Sequence, residues 1–272
     1  GYGRRSGKKE HMSWDPEQYL KFADARRRPA DDLLARLDGV AASSVVDLGC
    51  GAGNITRLLA ARWPRARIVG VDNDPAMLEK AAMNAGNAVN AETAAIAWRR
   101  ADIATWHASP APDLIFSNAA LHWLDDHPRL FPTLIGQLAD DGVLAAQMPA
   151  NFAAPSHRLL RELADEPPWR ERLCGARMGS VLSAEDYHRL LSPHCRFLEV
   201  WETCYWQWLA GEDAVFEWMK GTTLRPYLER LDSSVSEDFL AIYRQRLRAA
   251  YPRQAGGGTL FPFKRLFFVA RR

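Results

Sequence analysis

A short apolar strand runs into three glycines at alternate positions, Val45-Val46-Asp47-Leu48-Gly49-Cys50-Gly51-Ala52-Gly53. A helical pattern follows at once, with Ile55, Leu58 and Leu59 on one face. A strand-to-helix turn this tight needs positive φ, which glycine adopts at little cost. Missing side chains also let a ligand lie against bare backbone. A second apolar strand, Ile68-Val69-Gly70-Val71, ends in Asp72, nineteen residues after Gly53. An acidic side chain there can accept both hydroxyls of a ribose. These features read as a nucleotide-binding βαβ unit. The dinucleotide fingerprint G-x-G-x-x-G is absent in both registers, because its third glycine would fall on Asn54 or on Thr56. A glycine-rich turn without a ligand is the competing reading. The acidic strand end and the later strands argue against it.

The 272 residues suit one α/β domain with an elaboration, or two small domains, and a 47% apolar content allows a real core. No apolar run reaches the roughly 18 residues of a membrane span, so no membrane partner is expected. Residues 1–11 are polar, basic and glycine-rich, and His11-Met12 is what a cloning site often leaves. We read 1–11 as a vector remnant and Met12 as the native start. Without that segment the net charge falls from +2 to about −1. Most of the case for nucleic acid goes with it. Cys50, Cys174, Cys195 and Cys204 form no C-x-x-C pair, and no histidine stands at metal-ligand spacing from two of them. They read as reduced thiols of a cytoplasmic protein without a metal.

Along the chain, Trp14 to Leu37 reads as helical, with Pro29 allowing a second helix to begin. Strands are expected at 67–72, 95–100, 113–118 and 142–148, separated by helices or loops, with 84–94 a loop or frayed helix extension. Strands alternating with helices imply a parallel sheet with right-handed crossovers. From Pro149 to about Pro193 the pattern is helical. A long strand, Phe197 to Leu209, then helices at 211–220 and 234–251, a Gly256-Gly257-Gly258 turn and a strand at Leu266–Ala270 complete the chain. The helical stretches are expected to cap the strand carboxyl ends, where open α/β sheets bind ligands. The expected organisation is a core over 12–149, with cap insertions and final strands over 150–272.

Asp47-x-Gly49-x-Gly51-x-Gly53 resembles motif I of the class I methyltransferases that use S-adenosyl-L-methionine (SAM). That implies an α/β fold with a doubly wound, mostly parallel, seven-stranded, Rossmann-like sheet, with SAM over the turn and its ribose on Asp72. Further stretches are similar to one narrower family, the bacterial trans-aconitate methyltransferases. They are Trp14-x-x-x-x-Tyr19-x-x-Phe22, Arg26-x-Arg28-Pro29-Ala30, Asp74-Pro75-Ala76-Met77-Leu78 and Ala101-Asp102-Ile103. Others are Ser117-Asn118-Ala119-Ala120-Leu121-x-Trp123-Leu124, Gln147-Met148-Pro149-x-Asn151, Leu224-Arg225-Pro226-Tyr227-Leu228 and Arg265-Leu266-Phe267-Phe268-Val269-Ala270-Arg271. The chain departs from the family at Ala25, Asn73-Asp74-Pro75, Tyr205-Trp206-Gln207 and Thr223, and in a longer 84–94 stretch.

The resemblance implies a SAM-dependent enzyme that esterifies a carboxylate of a small polycarboxylic acid, trans-aconitate first. It places Tyr19, Arg26, Asp47, Gly49, Gly51, Gly53, Asp72, Asn73, Asp102, Ile103 and Asn118 at the cofactor, with Asp102 at the adenine amino group and Ile103 on the ring. Arg28, Arg225 and Trp123 then position the acceptor. Such a reaction needs no general base, since a carboxylate with a pKa near 4 is already a nucleophile at neutral pH. It needs alignment, exclusion of water and cationic anchors for the other carboxylates. Simpler roles compete: a surface ion pair for each arginine, a helix N-cap for Asp102, a core aromatic for Tyr19 or Trp123. His122 reads as an exposed histidine at a helix start. Trp201, Trp206, Trp208 and Trp218 read mainly as cap core, with Trp206 alone a candidate pocket wall. Another acid, a phenol or an amine as acceptor, and a SAM-binding regulator without turnover, are the alternatives. The expected assembly is a monomer or small homo-oligomer.

Overall fold

The computed structural model describes residues 23–86 and 96–272. Residues 1–11, Trp14 and Tyr19 lie outside them. Among the described residues, β1 (Ser44–Leu48), β2 (Arg67–Asp72), β3 (Ile96–Arg100), β4 (Leu114–Asn118), β5 (Val143–Pro149), β6 (Phe197–Ala210) and β7 (Gly258–Arg271) form one sheet in the order 3-2-1-4-5-7-6. The first five are parallel, and β7 runs antiparallel between β5 and β6. From β1 the chain winds outward through β2 to β3, then returns to lay β4 against the other side of β1. The carboxyl ends of β1 and β4 therefore flank the switch point where such sheets hold ligands.

Both faces of the sheet are covered, which is why its central strands read as unbroken apolar runs. Period-two alternation divides them. Val45, Phe116, Ala145 and Phe267 pack with Leu33 and Leu34 of α1 (Ala23–Ala35), Leu37 in the turn after it, and Leu59 of α2 (Asn54–Arg62). Val46, Leu48, Ile115, Leu144 and Phe268 face Phe131 and Leu134 of α4 (His127–Gly136) on the other side. The remaining crossover helix, α3 (Pro75–Gly86), joins β2 to β3.

Two helical insertions follow β5 and β6. Between β5 and β6 lie α5 (Pro155–Ala164), α6 (Arg170–Leu173) and α7 (Ala184–Leu191); between β6 and β7 lie α8 (Ala214–Lys220), α9 (Arg225–Leu228) and α10 (Ser233–Ala250). Polar bonds tie the first insertion to the second. The Tyr243 hydroxyl donates to the Ser156 carbonyl at 2.7 Å, the Ser156 amide donates to the Tyr251 hydroxyl at 3.1 Å, and Arg246 grips Glu166 through two 2.8 Å bonds. Cys50, Cys174, Cys195 and Cys204 are unpaired. Among the described residues no helix is long and apolar enough to cross a membrane.

Local details differ from the sequence-based expectation. No new helix begins at Pro29: α1 runs through it. The last strand starts at Gly258 rather than Leu266, because it pairs with β6 over its whole length while β5 reaches only Arg265–Arg271. Pro262 and Lys264 hide it in the sequence; a proline is tolerated there because β5 does not pair with that stretch. Trp218 is fully buried, but Trp206 and Trp208 stand exposed on the edge strand β6 and are not cap core.

The turn after β1 is shaped by two demands. Gly49 has φ +76°, and a Cβ there would overlap the Ala120 side chain beyond β4. The Gly49 and Cys50 amides both donate to the Val71 carbonyl, at 2.8 and 3.0 Å, which locks the turn to β2. Gly49→Ala is expected to cost about 3 kcal/mol, combining left-handed strain with overpacking. Urea denaturation measures it, and a loss below about 1 kcal/mol, within the range of ordinary substitutions, would show that the turn can yield.

Candidate active site

At the switch point Gly51 takes φ +52° with nothing within 4 Å of where its Cβ would lie. The turn thus leaves an open cradle over bare backbone. The Gly51 amide donates to Asp72 Oδ2 and the Asp74 amide to Asp72 Oδ1, both at 2.9 Å. Each carboxylate oxygen keeps a further lone pair. Asn73 lies exposed beside it, and the Ala101 amide bonds to the Asp72 carbonyl at 3.0 Å, carrying the line on to Asp102 and Ile103. Ile103 Cδ1 comes within 3.7 Å of the missing Gly49 side chain. Asp102 is exposed and accepts the Ala104 amide at 2.9 Å, closing its own turn. A cradle, an acidic strand end and a second carboxylate beside an apolar side chain fit a nucleoside-bearing cofactor.

Asp47 lies beneath this cradle, fully buried on the α2 face of β1. Thr56 of α2 donates to its Oδ2 at 2.6 Å, so the pair pins strand to helix under the turn. Burial pushes the Asp47 carboxyl up to about 7, Thr56 opposes this, and the Asp72 charge adds to it.

Across the turn from this cradle, the carboxyl ends of β4 and β5 meet the middle of β7. Gln147 of β5 donates its amide to Asn118 Oδ1 at the end of β4. The next residue, Ala119, holds φ +54°, an uncommon conformation for a residue with a Cβ. A 3₁₀ turn, Leu121–Trp123, follows. Trp123 is 44% exposed, so it is not a core aromatic. His122, expected to be exposed, is buried. Glycine 179 comes so close that a Cβ would clash with the ring, and the Ser180 amide donates to the His122 carbonyl at 2.9 Å. The cap segment supplies the cover, which sequence alone did not reveal. Burial, with the Arg265 charge adding, holds the His122 imidazole down at about 3, and His157 is likewise held at about 4.

Two of the three expected arginines sit at this end of the molecule. Arg26 is half-buried over the Trp218 ring at 5.1 Å, and the exposed Arg28 guanidinium lies 5.2 Å from the Tyr205 ring. Tyr205 in turn donates to Asp32 at 2.5 Å. Arg225 is not brought in: its side chain is 61% exposed and bonds Glu229 at 2.8 Å. Residues without an assigned role take the interior positions instead. Arg265 is buried on β7 and donates to Gln147 Oε1 at 3.3 Å, while Asn151, beyond β5, is buried with neither amide atom bonded among the described residues. An arginine inside the apolar run 260–270 was the available signal for the first. A separate cavity of about 420 Å³ lies among the cap helices, bordered by Arg161, Arg170, Arg177 and Tyr227. None of the expected site residues lines it.

The raised Asp47 carboxyl has a stability consequence. Its unfolded value is near 4 and its folded value about 7, so the native state prefers the protonated form. The stability this preference contributes is complete below pH ~4 and is lost as pH rises through ~7. Asp47→Asn keeps the acceptor for Thr56 without the charge. From pH 4 to pH 8 the variant should gain on wild type by about 4 kcal/mol. Urea midpoints at several pH values test this; parallel curves for the two proteins would rule out a strained carboxylate.

With this geometry in view, comparison with known proteins is specific. A methyltransferase-domain family matches residues 22–194. A trans-aconitate 2-methyltransferase of Azoarcus sp. (strain BH72) is 48% identical over 261 residues, covering 96% of this chain and 99% of that protein. Its counterpart in Streptomyces coelicolor is 48% identical over 266 residues, covering 96% of this chain and 87% of that protein. Among solved structures, the YcgJ protein of Bacillus subtilis has a TM-score of 0.58 at 14% identity, covering 89% of this chain and 98% of that one. Magnesium protoporphyrin IX methyltransferase of Synechocystis has a TM-score of 0.55 at 12% identity, covering 96% and 90%. The structural likenesses carry the fold, the near-full-length sequence likenesses carry the family, and the chain belongs to the trans-aconitate 2-methyltransferase family.

Proposed function

We propose that this protein transfers the methyl group of SAM to one carboxylate of trans-aconitate, giving a monomethyl ester. The near-full-length identity to trans-aconitate 2-methyltransferases carries this reading. The chemistry of the site supports it. His122 and His157 are held at about 3 and 4, far too weakly basic to deprotonate an ammonium or a phenol at neutral pH. Asp47 is closed off under the turn and bonded to Thr56. Two histidines this weakly basic and a closed-off Asp47 leave proton removal to none of these three groups, which suits an acceptor that arrives ionised, as a carboxylate does.

In this reading Gly49, Gly51 and Gly53 cradle the cofactor with Asp47 bracing the turn. Asp72 and Asn73 take the ribose hydroxyls, Asp102 and Ile103 the adenine, and Tyr19 and Arg26 the amino-acid end. Bound SAM supplies an electrophilic methyl group on a positively charged sulfur. Asn118, fixed by Gln147, orients the acceptor carboxylate at the end of β4. Alignment to ~3 Å and removal of water provide the acceleration. Arg28 and Trp123 border the acceptor's entry. Arg225 could reach an acceptor only if its pair with Glu229 opened.

The direct test is release of S-adenosylhomocysteine with trans-aconitate, measured against cis-aconitate, isocitrate, citrate and malonate, with mass analysis of the product. A monomethyl ester made preferentially from trans-aconitate is expected. Binding of SAM with no turnover on any of these acids would overturn the proposed acceptor. A second check concerns the cofactor. Asp72→Asn should raise the KM for SAM about tenfold, corresponding to ~1.4 kcal/mol for a weakened hydrogen bond to a charged group. Its acceptor KM should change little, and the reverse pattern would remove Asp72 from the ribose.

A further inference from the structure

The β-ladder puts four polar side chains on one face at one end of the sheet. Asn118 pairs with Gln147, Gln147 with Phe267, and Pro149 with Arg265. Side chains alternate along a strand, so Asn118, Gln147 and Arg265 share a face, and Asn151, two residues past Pro149, continues it. The Ala150 amide bonds to the Lys264 carbonyl at 2.9 Å, which keeps residue 151 beside residue 265. Hydrogen bonds join three of the four in series: Arg265 to Gln147, and Gln147 to Asn118. The buried His122 ring approaches from the 3₁₀ turn after β4, near enough to feel the Arg265 charge.

Arg265 is 7% exposed, and no carboxylate among the described residues lies within ion-pair distance of it. Its cation rests on the Phe263 ring at 4.3 Å and on one amide oxygen at 3.3 Å. Among the described residues its Nε has no partner, nor has His122 Nδ1 or either amide atom of Asn151. Burying a guanidinium with so little compensation is costly unless a counter-charge arrives. The unbonded atoms of His122, just after β4, and of Asn151, just after β5, are ones that a bound molecule can satisfy. Burial lowers the guanidinium to about 9, so it keeps its charge at neutral pH.

We propose that Arg265, flanked by Asn151 and His122, binds a carboxylate of the acceptor that is not being methylated. The inference rests on the carboxylate-methylating reading above and assigns the recognition of a second carboxylate to one buried residue. A guanidinium fork grips a carboxylate through two parallel bonds, and the two neutral side chains add donors without adding charge. Gln147 links this anchor to Asn118, so the spacing between the held carboxylate and the reacting one is set by the pairing of β4, β5 and β7. Acceptors with a single carboxylate would lose the anchor and be selected against.

The test compares wild type with Arg265→Gln, Arg265→Lys and Asn151→Asp. Each is assayed for turnover of trans-aconitate and, separately, by calorimetric titration of trans-aconitate and tricarballylate into protein loaded with S-adenosylhomocysteine. Arg265→Gln should raise the acceptor KM at least about 30-fold, the low end for losing one partner of a buried charge pair, with the SAM KM nearly unchanged. Arg265→Lys should recover part of the loss. Asn151→Asp places a carboxylate beside Arg265; it should keep SAM binding and weaken the acceptor comparably, which makes it the decisive variant if Arg265→Gln does not fold. An unchanged acceptor KM in a variant that still binds SAM would overturn the proposal. Absence of wild-type turnover would instead defeat the functional reading. Titration would then decide Arg265 on its own: polycarboxylate binding weakened in Arg265→Gln upholds the site, and equal or absent binding overturns it.

Discussion

At the switch point between β1 and β4, Gly49 lies so close to Ala120 that a single methyl group at residue 49 would overlap it. The same turn is held to β2 by two amide bonds to Val71 and by the Gly51 amide on Asp72. Three strand ends thus meet around a turn that contributes only backbone at Gly49 and Gly51. That close meeting opens the cradle at Gly51, aims Asp72 along it and brings Asn118 to the far side. Relaxing any of these contacts would move both halves of the site. Asp47 and Thr56 support the junction from below, at the cost of a carboxylate that burial makes hard to ionise.

The site combines two electrostatic characters. Around the turn, carboxylates with spare lone pairs face open space and suit hydroxyl and amino donors. Beyond β5 the balance reverses: Arg26, Arg28 and Arg265 gather near two histidines that burial keeps neutral. A positively charged methyl donor and a polyanionic acceptor would each meet groups of complementary character there. The cap makes the second region possible. His122 is buried because the segment through Gly179 and Ser180 lies on it, and Asn151 lies where the first insertion leaves the sheet. Bonds from Tyr243 and Arg246 to the first insertion tie the two insertions together.

Much of this was legible in the residues. The strand–glycine–helix turn and its acidic second strand are local patterns whose spacing is set by backbone geometry, and they led to the sheet, the switch point and Asp72 without tertiary information. The family resemblance added Asp102, Asn118 and the arginines at 26 and 28, which lie in short motifs. Less legible were features that depend on contacts between distant segments. Arg225 and Arg265 sit in equally distinctive motifs, yet one pairs with Glu229 in solvent and the other is buried beside Gln147. His122 looked exposed because its cover lies more than fifty residues away in the chain. Trp206 and Trp208 looked like core because large aromatics usually are, but β6 turned out to be an edge strand.

The sequence by itself determined the order of strands and helices, the need for glycine after β1, and the acidic end of β2. These follow from φ preferences and hydrophobic periodicity, which act over a few residues. Only the tertiary structure decided which cation is buried, which histidine stays neutral, and which polar atoms beyond β4 and β5 and within β7 are left without partners among the described residues. Desolvation and pairing depend on what packs against a side chain, and those neighbours come from segments that the linear chain does not bring together.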